Sequence, residues 1–426
     1  MTTEPEAPGE VPRSRLRRVA LDLTPLRTSR DFRLVWTGLL ITSAGSQFTL
    51  VAVFVQVKEL TDSEVAVGGT GLAYLLGLIG GTLAGGAFLD AHDRRRMLMA
   101  AQAVLAVGSG TLLLGALHGD PPLWVVYGGL AILAAGSAID GPTRNAMTPR
   151  LLGHSLVPAA QALNQVVWNT SALVGPAIAG LVIGGFGLTA AYAIDLASIA
   201  LMFVAAWLLR PMPPLAADRV EAGLHAIREG FSFARRHRLI MSTFVIDLVA
   251  MIFGSPRALY PFLIVSQFDR PLEAVGLLFA APAAGALLGA LTSGWTGRVQ
   301  RQGLAVIVAV VVWGLAIAAF GASGPNLWLG LSMLALAGGA DVISAIFRST
   351  ILQTSAPDHL LGRLSGIHIL VVTGGPRLGD LEAGVVARLV TPSFSVISGG
   401  LACVVGTVLV AVAYPELRGA RARRGS

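Results

Sequence analysis

This chain of 426 residues contains few charged residues, one lysine and one cysteine. Only 13% of its residues are charged, whereas a soluble domain carries about 25%. Lys58 is the sole lysine and Cys403 the sole cysteine, so an intrachain disulfide and a cysteine metal cluster are both excluded. Because 54% of the residues are hydrophobic and the mean hydropathy is +0.71, we expect most of the chain to be solvated by lipid.

Signature motifs of several enzyme classes are also missing. Lys58 lies between Val57 and Glu59, so there is no Walker A sequence and the chain by itself is not a P-loop ATPase. The seven histidines show no H-E-x-x-H spacing, and no G-x-S-x-G nucleophile elbow occurs. We therefore expect no enzyme activity, no metal and no cofactor, and we expect the proton gradient to supply any energy the protein uses.

Apolar runs of about 20 residues, long enough to cross a bilayer, recur along the whole sequence. The high glycine content is compatible with membrane helices, because small residues let them pack closely. The sequence thus predicts an all-α membrane protein with twelve transmembrane helices, at 34–57, 65–89, 97–117, 123–147, 159–185, 189–209, 239–265, 273–296, 304–322, 327–353, 364–388 and 394–414.

Arginine collects in alternate connections between these runs. Segments 13–33, 94–96 and 210–238 are rich in it, whereas 118–122 and 321–326 contain none. This alternation follows the positive-inside rule. We therefore place both termini in the cytoplasm of a bacterial plasma (inner) membrane, and we expect no binding of nucleic acid. The polar first 30 residues show no signal peptide.

The long connection at 210–238 divides the chain into six helices plus six. Within it, Leu224, Ile227 and Phe231 share one helical face, so we expect a short amphipathic helix at the inner membrane surface. The predicted organisation is a cytoplasmic tail, a six-helix bundle, this linker, a second six-helix bundle and a basic tail, at 1–33, 34–209, 210–238, 239–414 and 415–426.

The two halves also resemble each other in sequence. "LVGPAIAG" (173–180) matches "TGGPRLGD" (373–380), and "LAAGSAIDGPTRNAMTPRL" (133–151) parallels "LAGGADVISAIFRSTILQT" (336–354), at offsets of 200 and 203 residues. Two related six-helix halves are the layout of a secondary transporter, in which one half rocks against the other around a central site.

The first pair of matching segments differs in charge. Ala177 and Gly180 of the first copy correspond to Arg377 and Asp380 of the second. Since the first copy lacks both charges, the scaffold itself does not require them.

The connection "GGAFLDAHDRRRML" (85–98) resembles the loop signature of the major facilitator superfamily. Gly86 is followed by Asp90 and then by the basic cluster Arg94, Arg95 and Arg96. An acid at a helix end can accept hydrogen bonds from the amides of the next helix start, or pair with arginine. We expect this loop to act as a latch for one conformational state.

Further segments narrow the resemblance. Gly175 and Pro176 in "GPAIAG" are similar to the end of the span-five motif of exporters in this superfamily, and we assign them to gating. "SPRALYPFL" (255–263), "GALLGALTSG" (285–294), "TILQTSAPDHLLGRLSG" (350–366), "GDLEAG" (379–384) and "DFRLVWTGLLITSAGSQ" (31–47) resemble the enterobactin (siderophore) exporter branch. The resemblance implies proton-coupled efflux of a siderophore or of an amphiphile of similar size.

Charged side chains deep in the predicted helices are functional candidates, because each costs about 2.5–3.5 kcal/mol to insert. Asp380 lies in span eleven with Arg377 three residues before it on the same face. The two either neutralise each other or serve as a proton site and a cargo contact. Arg257 in span seven either has an internal partner or meets a cargo oxyanion, for which its fork of donors is suited.

A second group of charges is distributed over spans four, seven and ten. Asp140 and Arg144 are an i,i+4 pair, Asp247 lies near mid-membrane, and Arg348 falls within one position of Arg144 in the repeat. A desolvated carboxylate can take up a proton at physiological pH, as proton antiport requires; alternatively, Asp140, Arg144 and Arg348 form gates. The proton-coupling candidates are Asp380, Asp140 and Asp247, with Asp195 and Asp341 as weaker ones.

The sequence therefore predicts a transporter that binds cargo near the midplane. We expect a monomer whose partners are a small-molecule cargo, protons and the lipid bilayer, and whose function is export of a siderophore. The alternatives are a multidrug exporter, a lipid flippase and a non-transporting sensor. The candidate cargo-binding side chains, for each of which ordinary packing is the alternative, are Arg257, Arg377, Tyr260, Gln47, Trp168 and Phe54.

Overall fold

A computed structural model describes residues 22–89, 92–213 and 224–422, and this part of the chain contains no strand. The predicted all-α class is confirmed. The α-helices are α1 (Thr24–Thr28), α2 (Arg30–Thr61), α3 (Glu64–Leu89), α4 (Arg94–His118), α5 (Leu123–Leu152), α6 (Val157–Trp207), α7 (Leu224–Arg236), α8 (Arg238–Phe253), α9 (Tyr260–Ser266), α10 (Val275–Leu291), α11 (Gln302–Gly321), α12 (Leu327–Ser355), α13 (Asp358–Leu389), α14 (Pro392–Ala413) and α15 (Pro415–Gly419).

Some sequence predictions fall outside the described residues. These are Asp90 of the proposed latch and the parts of the two tails and of the linker at 1–21, 214–223 and 423–426. The remaining boundaries of the predicted domains stay a prediction.

Ten helical segments of the described chain are long and apolar enough to cross a membrane, compared with twelve predicted spans. One of the ten, His154–Trp207, covers two predicted spans. It is kinked at Gly187, whose φ of +79° lies in the left-handed region that favours glycine. The helix α13 is not among the ten, and it carries Arg377, Asp380 and Glu382 in its apolar part. Twelve spans remain a prediction.

The two halves repeat the same packing. In the first half α5 packs against both α3 and α4, and in the second half α12 packs in the same way against α10 and α11. Two further pairs join the halves to each other, α3 with α13 and α6 with α10. The structure therefore has the pseudo-symmetric arrangement that the sequence repeat predicts.

Span seven, predicted over 239–265, contains a break. The helix α8 ends at Phe253, and a 3-10 turn at Arg257–Leu259 precedes α9. Pro256 has no N–H to continue the helix. The freed carbonyl of Gly254 accepts a hydrogen bond from Trp313 Nε1 at 3.2 Å, which satisfies a group that would be costly to leave unpaired. The predicted span is therefore present as Arg238–Ser266, and Pro256 introduces a break that the apolar pattern alone does not indicate.

The halves meet at one end of the bundle. We call the end where α2 begins and α14 ends the terminal face, and the opposite end the distal face. Toward the distal face the helices approach backbone to backbone, so that a Cβ added to Gly68 would meet the carbonyl of Asp380 and one added to Gly180 would meet that of Glu273. Nearer the terminal face, a Cβ at Gly80 or Gly366 would meet no atom within 4 Å. The two halves are therefore in close backbone contact toward the distal face.

The linker helix α7 is helical as predicted, and it packs against α13. Ala234 is buried among side chains that include Leu360 and Leu364, and Glu229 forms an ion pair with Arg363. This contact fixes the end of the linker to the second half.

Candidate functional site

Two adjoining chambers lie between the halves. The first chamber has a volume of about 370 Å³ and is formed mainly by the first half, with Arg377 reaching in from α13. The second chamber has a volume of about 240 Å³ and lies against the second half, where Arg257 and Asp341 line it. Gln47 and Leu50 of α2 border both chambers.

All six predicted cargo-binding side chains line these chambers, although their role in binding stays a prediction. The first chamber is lined by Gln47, Phe54, Trp168 and Arg377, and the second by Gln47, Arg257 and Tyr260. Phe279 joins the aromatic wall of the second chamber, with its ring centroid 5.0 Å from that of Tyr260 and 5.5 Å from that of Phe54. The site combines aromatic faces from both halves with guanidinium groups.

The broken span positions Arg257. Arg257 is the first residue of the 3-10 turn that follows Pro256, and its side chain is exposed in the second chamber. Among the described residues no acid lies within 4 Å of the Arg257 guanidinium, although Asp341 in the same chamber and Asp380 are near enough to interact with it electrostatically, so both roles considered from the sequence stay open. An arginine in this position presents its donors to the space between the halves.

Asp380 accepts a hydrogen bond from the same turn. The backbone N–H of Ala258 donates to its Oδ1 at 3.2 Å, and Arg377 lies 3.8 Å from its Oδ2. Asp380 is fully buried, while the guanidinium of Arg377 stacks over the ring of Tyr74 at 4.0 Å. The pair inferred from the sequence thus forms, and it links α13 to the break in span seven and to α3.

The first half holds Asp140 and Arg144 as an ion pair within α5. Gln102 of α4 donates a hydrogen bond to Asp140 at 2.8 Å. Both members of the pair line the first chamber. The pair is therefore in a position to respond to whatever occupies that chamber.

The second half contains a cluster that spans three helices. Arg348 of α12 lies 2.9 Å from Asp247 of α8 and 3.6 Å from Asp341, and His368 of α13 lies 3.8 Å from Asp247. Asp247 and Arg348 are buried, whereas Asp341 also borders the second chamber. Sequence reasoning missed His368, although it is the one histidine within the predicted span eleven.

Asp195 has a different environment. It is buried, and its Oδ2 accepts hydrogen bonds from Thr49 Oγ1 and Ser109 Oγ, both at 2.8 Å. It also lines the first chamber. The sequence analysis named this acid as a weaker candidate, and its two hydroxyl partners lie on segments that are distant from it in the sequence.

The described part of the latch loop lies within the first half. Asp93, which the sequence analysis did not consider, caps α4 by accepting from the N–H groups of Arg95 and Arg96, and it also accepts from the N–H of Met212 at 2.8 Å. The Arg95 side chain donates to the carbonyl of Trp207. Arg94 is buried and its N–H donates to Met212, while Gly86 lies in the last turn of α3. The loop ties α4 to the end of α6.

Gly175 and Pro176, whose role in gating stays a prediction, lie in α6 where it contacts α2 and α10. A Cβ at Gly175 would collide with the side chain of Gln47, and the carbonyl of Pro176 approaches Gly276 of α10. These residues therefore bring α6 close both to α2 and to the opposite half.

Comparisons with known proteins agree with this architecture. A family model described as "Transmembrane secretion effector" matches residues 20–422. Proteins named enterobactin exporter EntS from Shigella boydii and Citrobacter koseri are each 29% identical over 408 residues, which cover 93% of this chain and 95% of theirs. These findings confirm the resemblance drawn from the sequence motifs.

Solved structures show the same fold. The nucleoside transporter NupG superposes with a TM-score of 0.67 at 15% identity, covering 90% of this chain and 98% of its own. A bacterial homologue of the iron transporter ferroportin, in an inward-facing state, superposes with a TM-score of 0.67 at 16% identity, covering 95% and 100%. At such identities the likeness shows the fold alone, and it confirms the predicted major facilitator fold.

Proposed function

The chain belongs to the transmembrane secretion effector family, and from this premise we propose that it exports an acidic, aromatic small molecule of the siderophore class, driven by protons that move the other way. Its family and its relatives are transporters, so a multi-pass membrane transporter is the starting point. Cargo, direction and energy source are the parts we propose.

The observation that carries the proposal is Arg257 in the second chamber. A guanidinium without an ion-pair partner among the described residues is a strong donor for a carboxylate or a catecholate oxygen. The rings of Tyr260 and Phe279 beside it offer faces for an aromatic group. A siderophore of the catecholate type combines these two features, and the relatives named enterobactin exporters support this cargo class.

Alternating access would use the arrangement of the two halves. In the present state the distal contacts are closed, and cargo would enter from the terminal face. Opening those contacts while closing the opposite end would release the cargo at the distal face. In this scheme Asp380, Asp140 and Asp247 exchange protons, while Arg377 holds anionic cargo or keeps Asp380 poised.

We further infer that both termini lie in the cytoplasm of the inner membrane, so that the terminal face is cytoplasmic. The alternating positive charge of the connections supports this orientation. Because both chambers are formed by one chain, we expect a monomer to be the transporting unit.

Mass spectrometry of the medium of iron-starved cells, with and without the gene, tests the proposal. Loss of a siderophore from the medium, together with its accumulation inside the cells lacking the gene, is the expected result and would identify the cargo. Restoring the wild-type gene should restore secretion. An unchanged profile in the medium and in the cells would contradict siderophore export.

Multidrug export is the second candidate function. The first chamber favours it, because apolar side chains such as Val53, Leu105 and Leu130 form much of its wall and Trp168 is half exposed within it. A drug exporter would change the drug sensitivity of the same two strains without changing their siderophore profile.

A further inference from the structure

Asp195 is the sole charged residue of α6, a helix of 51 residues. Its side chain is buried, and two hydroxyl groups from other helices, Thr49 of α2 and Ser109 of α4, donate to its Oδ2. Its other oxygen, Oδ1, accepts no hydrogen bond from the described residues. Asp195 lines the first chamber, so its carboxyl group borders the space in which cargo and water would be accommodated.

The buried acids differ in how their charge is compensated. The other buried aspartates each have an arginine within 4 Å: Asp31 with Arg30, Asp140 with Arg144, Asp247 with Arg348, and Asp380 with Arg377. Within the described chain Asp195 has no such cation. A carboxylate anion that is buried with neutral hydroxyls alone is costly, whereas the neutral acid is not.

The helices packed against Asp195 provide no hidden counter-charge. The helix α2 has no charged residue between Arg33 and Lys58, and α4 has none between Arg96 and His118. On α6 itself the nearest titratable group is Tyr192, whose hydroxyl donates to Gln56 at 2.7 Å.

Three charged groups from other helices share the first chamber with Asp195. Asp140 and Arg144 of α5 are paired with each other, and Arg377 of α13 is paired with Asp380. The local arrangement therefore favours a protonated Asp195 in this state.

We propose that Asp195 is a proton-binding site of the transporter, and that phenolic or other hydroxyl-bearing cargo displaces this proton from the first chamber. The inference rests on the proposed proton-driven export. In the step, the O–H bond at Oδ1 breaks and the proton passes to water on the terminal side. A cargo hydroxyl then donates a hydrogen bond to Oδ1 and stabilises the carboxylate. Reprotonation from the distal face would reset the site after cargo release.

Infrared spectroscopy of the purified full-length protein in lipid nanodiscs tests the protonation directly. We expect a carbonyl-stretch band of a protonated carboxyl group at neutral pH that is lost in Asp195→Asn. Asp120→Asn, which removes an exposed acid in the loop between α4 and α5, should leave the band unchanged. Ser109→Ala should shift its frequency, which provides a second test if Asp195→Asn does not fold. A band that neither Asp195→Asn nor Ser109→Ala changes would overturn the proposal.

Calorimetry with 2,3-dihydroxybenzoate, an acidic catechol, tests the exchange. Wild-type protein should release about one proton on binding, so that its affinity rises about tenfold for each unit by which the pH is raised, as long as the free site is protonated. The affinity of Asp195→Asn should lose this pH dependence, and equal dependence in both proteins would contradict the exchange. If the probe does not bind the wild type, the proposed cargo class is wrong. In that case the infrared band still decides whether Asp195 carries a proton. Absence of the band at every pH would show that Asp195 is not a proton-binding site.

Discussion

The two halves carry acid–arginine clusters at corresponding depths, but they build them differently. In the first half Asp140 and Arg144 pair within α5, so their contact does not depend on how neighbouring helices are placed. In the second half Arg348 is held by Asp247 of α8, and His368 of α13 lies beside that acid. The second cluster is therefore a tertiary contact, and a shift of any one of three helices would alter it.

The same contrast holds for the helices that join the halves. Both α6 and α13 carry a Gly-Pro pair and approach their partner through glycine. Where α6 has Ala177 and Gly180, α13 has Arg377 and Asp380. The first half thus uses this scaffold for packing alone, whereas the second half adds charge to the same scaffold. The charges that α13 carries and α6 lacks should therefore add to coupling in the second half, while Asp140 and Asp195 are the coupling candidates of the first half.

The largest effect is expected for Asp380→Asn. The Asn oxygen can still accept the hydrogen bond from Ala258, but the side chain can no longer bind and release a proton. Transport driven by a pH gradient into liposomes should fall to background, while binding of cargo stays near the wild-type value. Asp62→Asn, at the exposed end of α2, is the matched control. Full gradient-driven transport in Asp380→Asn would break the proposed contrast between α13 and α6.

Arg348→Ala should have the next largest effect. It leaves the fully buried Asp247 without its cation, and removal of one member of a buried pair costs about 3–5 kcal/mol. Arg144→Ala should cost less, about 1–3 kcal/mol, because Asp140 retains its hydrogen bond from Gln102 and faces a chamber. Thermal unfolding of both purified variants in one detergent measures the difference.

The double variant Asp247→Asn/Arg348→Gln provides the control for charge, since it removes both members of the pair. It should regain part of the lost stability. Equal losses of stability for Arg348→Ala and Arg144→Ala would show that the tertiary cluster contributes no more to stability than the local pair.

Substitutions that add a methyl group to the closely packed distal face should have a smaller effect. A methyl group added in Gly68→Ala or Gly180→Ala would meet a backbone carbonyl of the opposite half. Overpacking of this kind costs about 1–3 kcal/mol, and here it should fall on the distally closed state alone. Distance measurements between spin labels on the two halves should show a shift toward the distally open state. Gly80→Ala, on the same helix as Gly68 but without a nearby atom, should show no shift.

The sequence could predict features that are set within one helix, but not contacts that depend on how distant helices pack. The repeat, the all-α class and the Asp140–Arg144 pair depend on composition and on spacing within one helix, and the structure contains all of them. The pairing of Arg348 with Asp247 depends on how two distant helices are rotated toward each other. Hydropathy does not determine that rotation, because each helix of this bundle is apolar on most sides.

The broken span shows the same division on a smaller scale. Gly254 and Pro256 were present as a signal, but the apolar pattern on both sides favoured a continuous helix. The consequences of the break, an amide aimed at Asp380 and the placement of Arg257 in a chamber, appear only when α13 is packed beside it. Likewise, the hydroxyl partners of Asp195 could not be assigned from spacing.

The smallest of the expected effects compares the two chambers. Arg257→Ala removes a guanidinium from the second chamber, and loss of a hydrogen bond to a charged group corresponds to about 1.5 kcal/mol, or roughly tenfold in affinity. The affinity for acidic cargo should therefore fall about tenfold, while the affinity for a neutral aromatic analogue should change little. Trp168→Ala in the first chamber should weaken both analogues equally, because its contribution is an apolar surface, and Arg270→Ala in the distal loop is the control. Equal losses of acidic and neutral analogues in Arg257→Ala would mean that this arginine is structural, and recognition of charge would then have to be sought at Arg377.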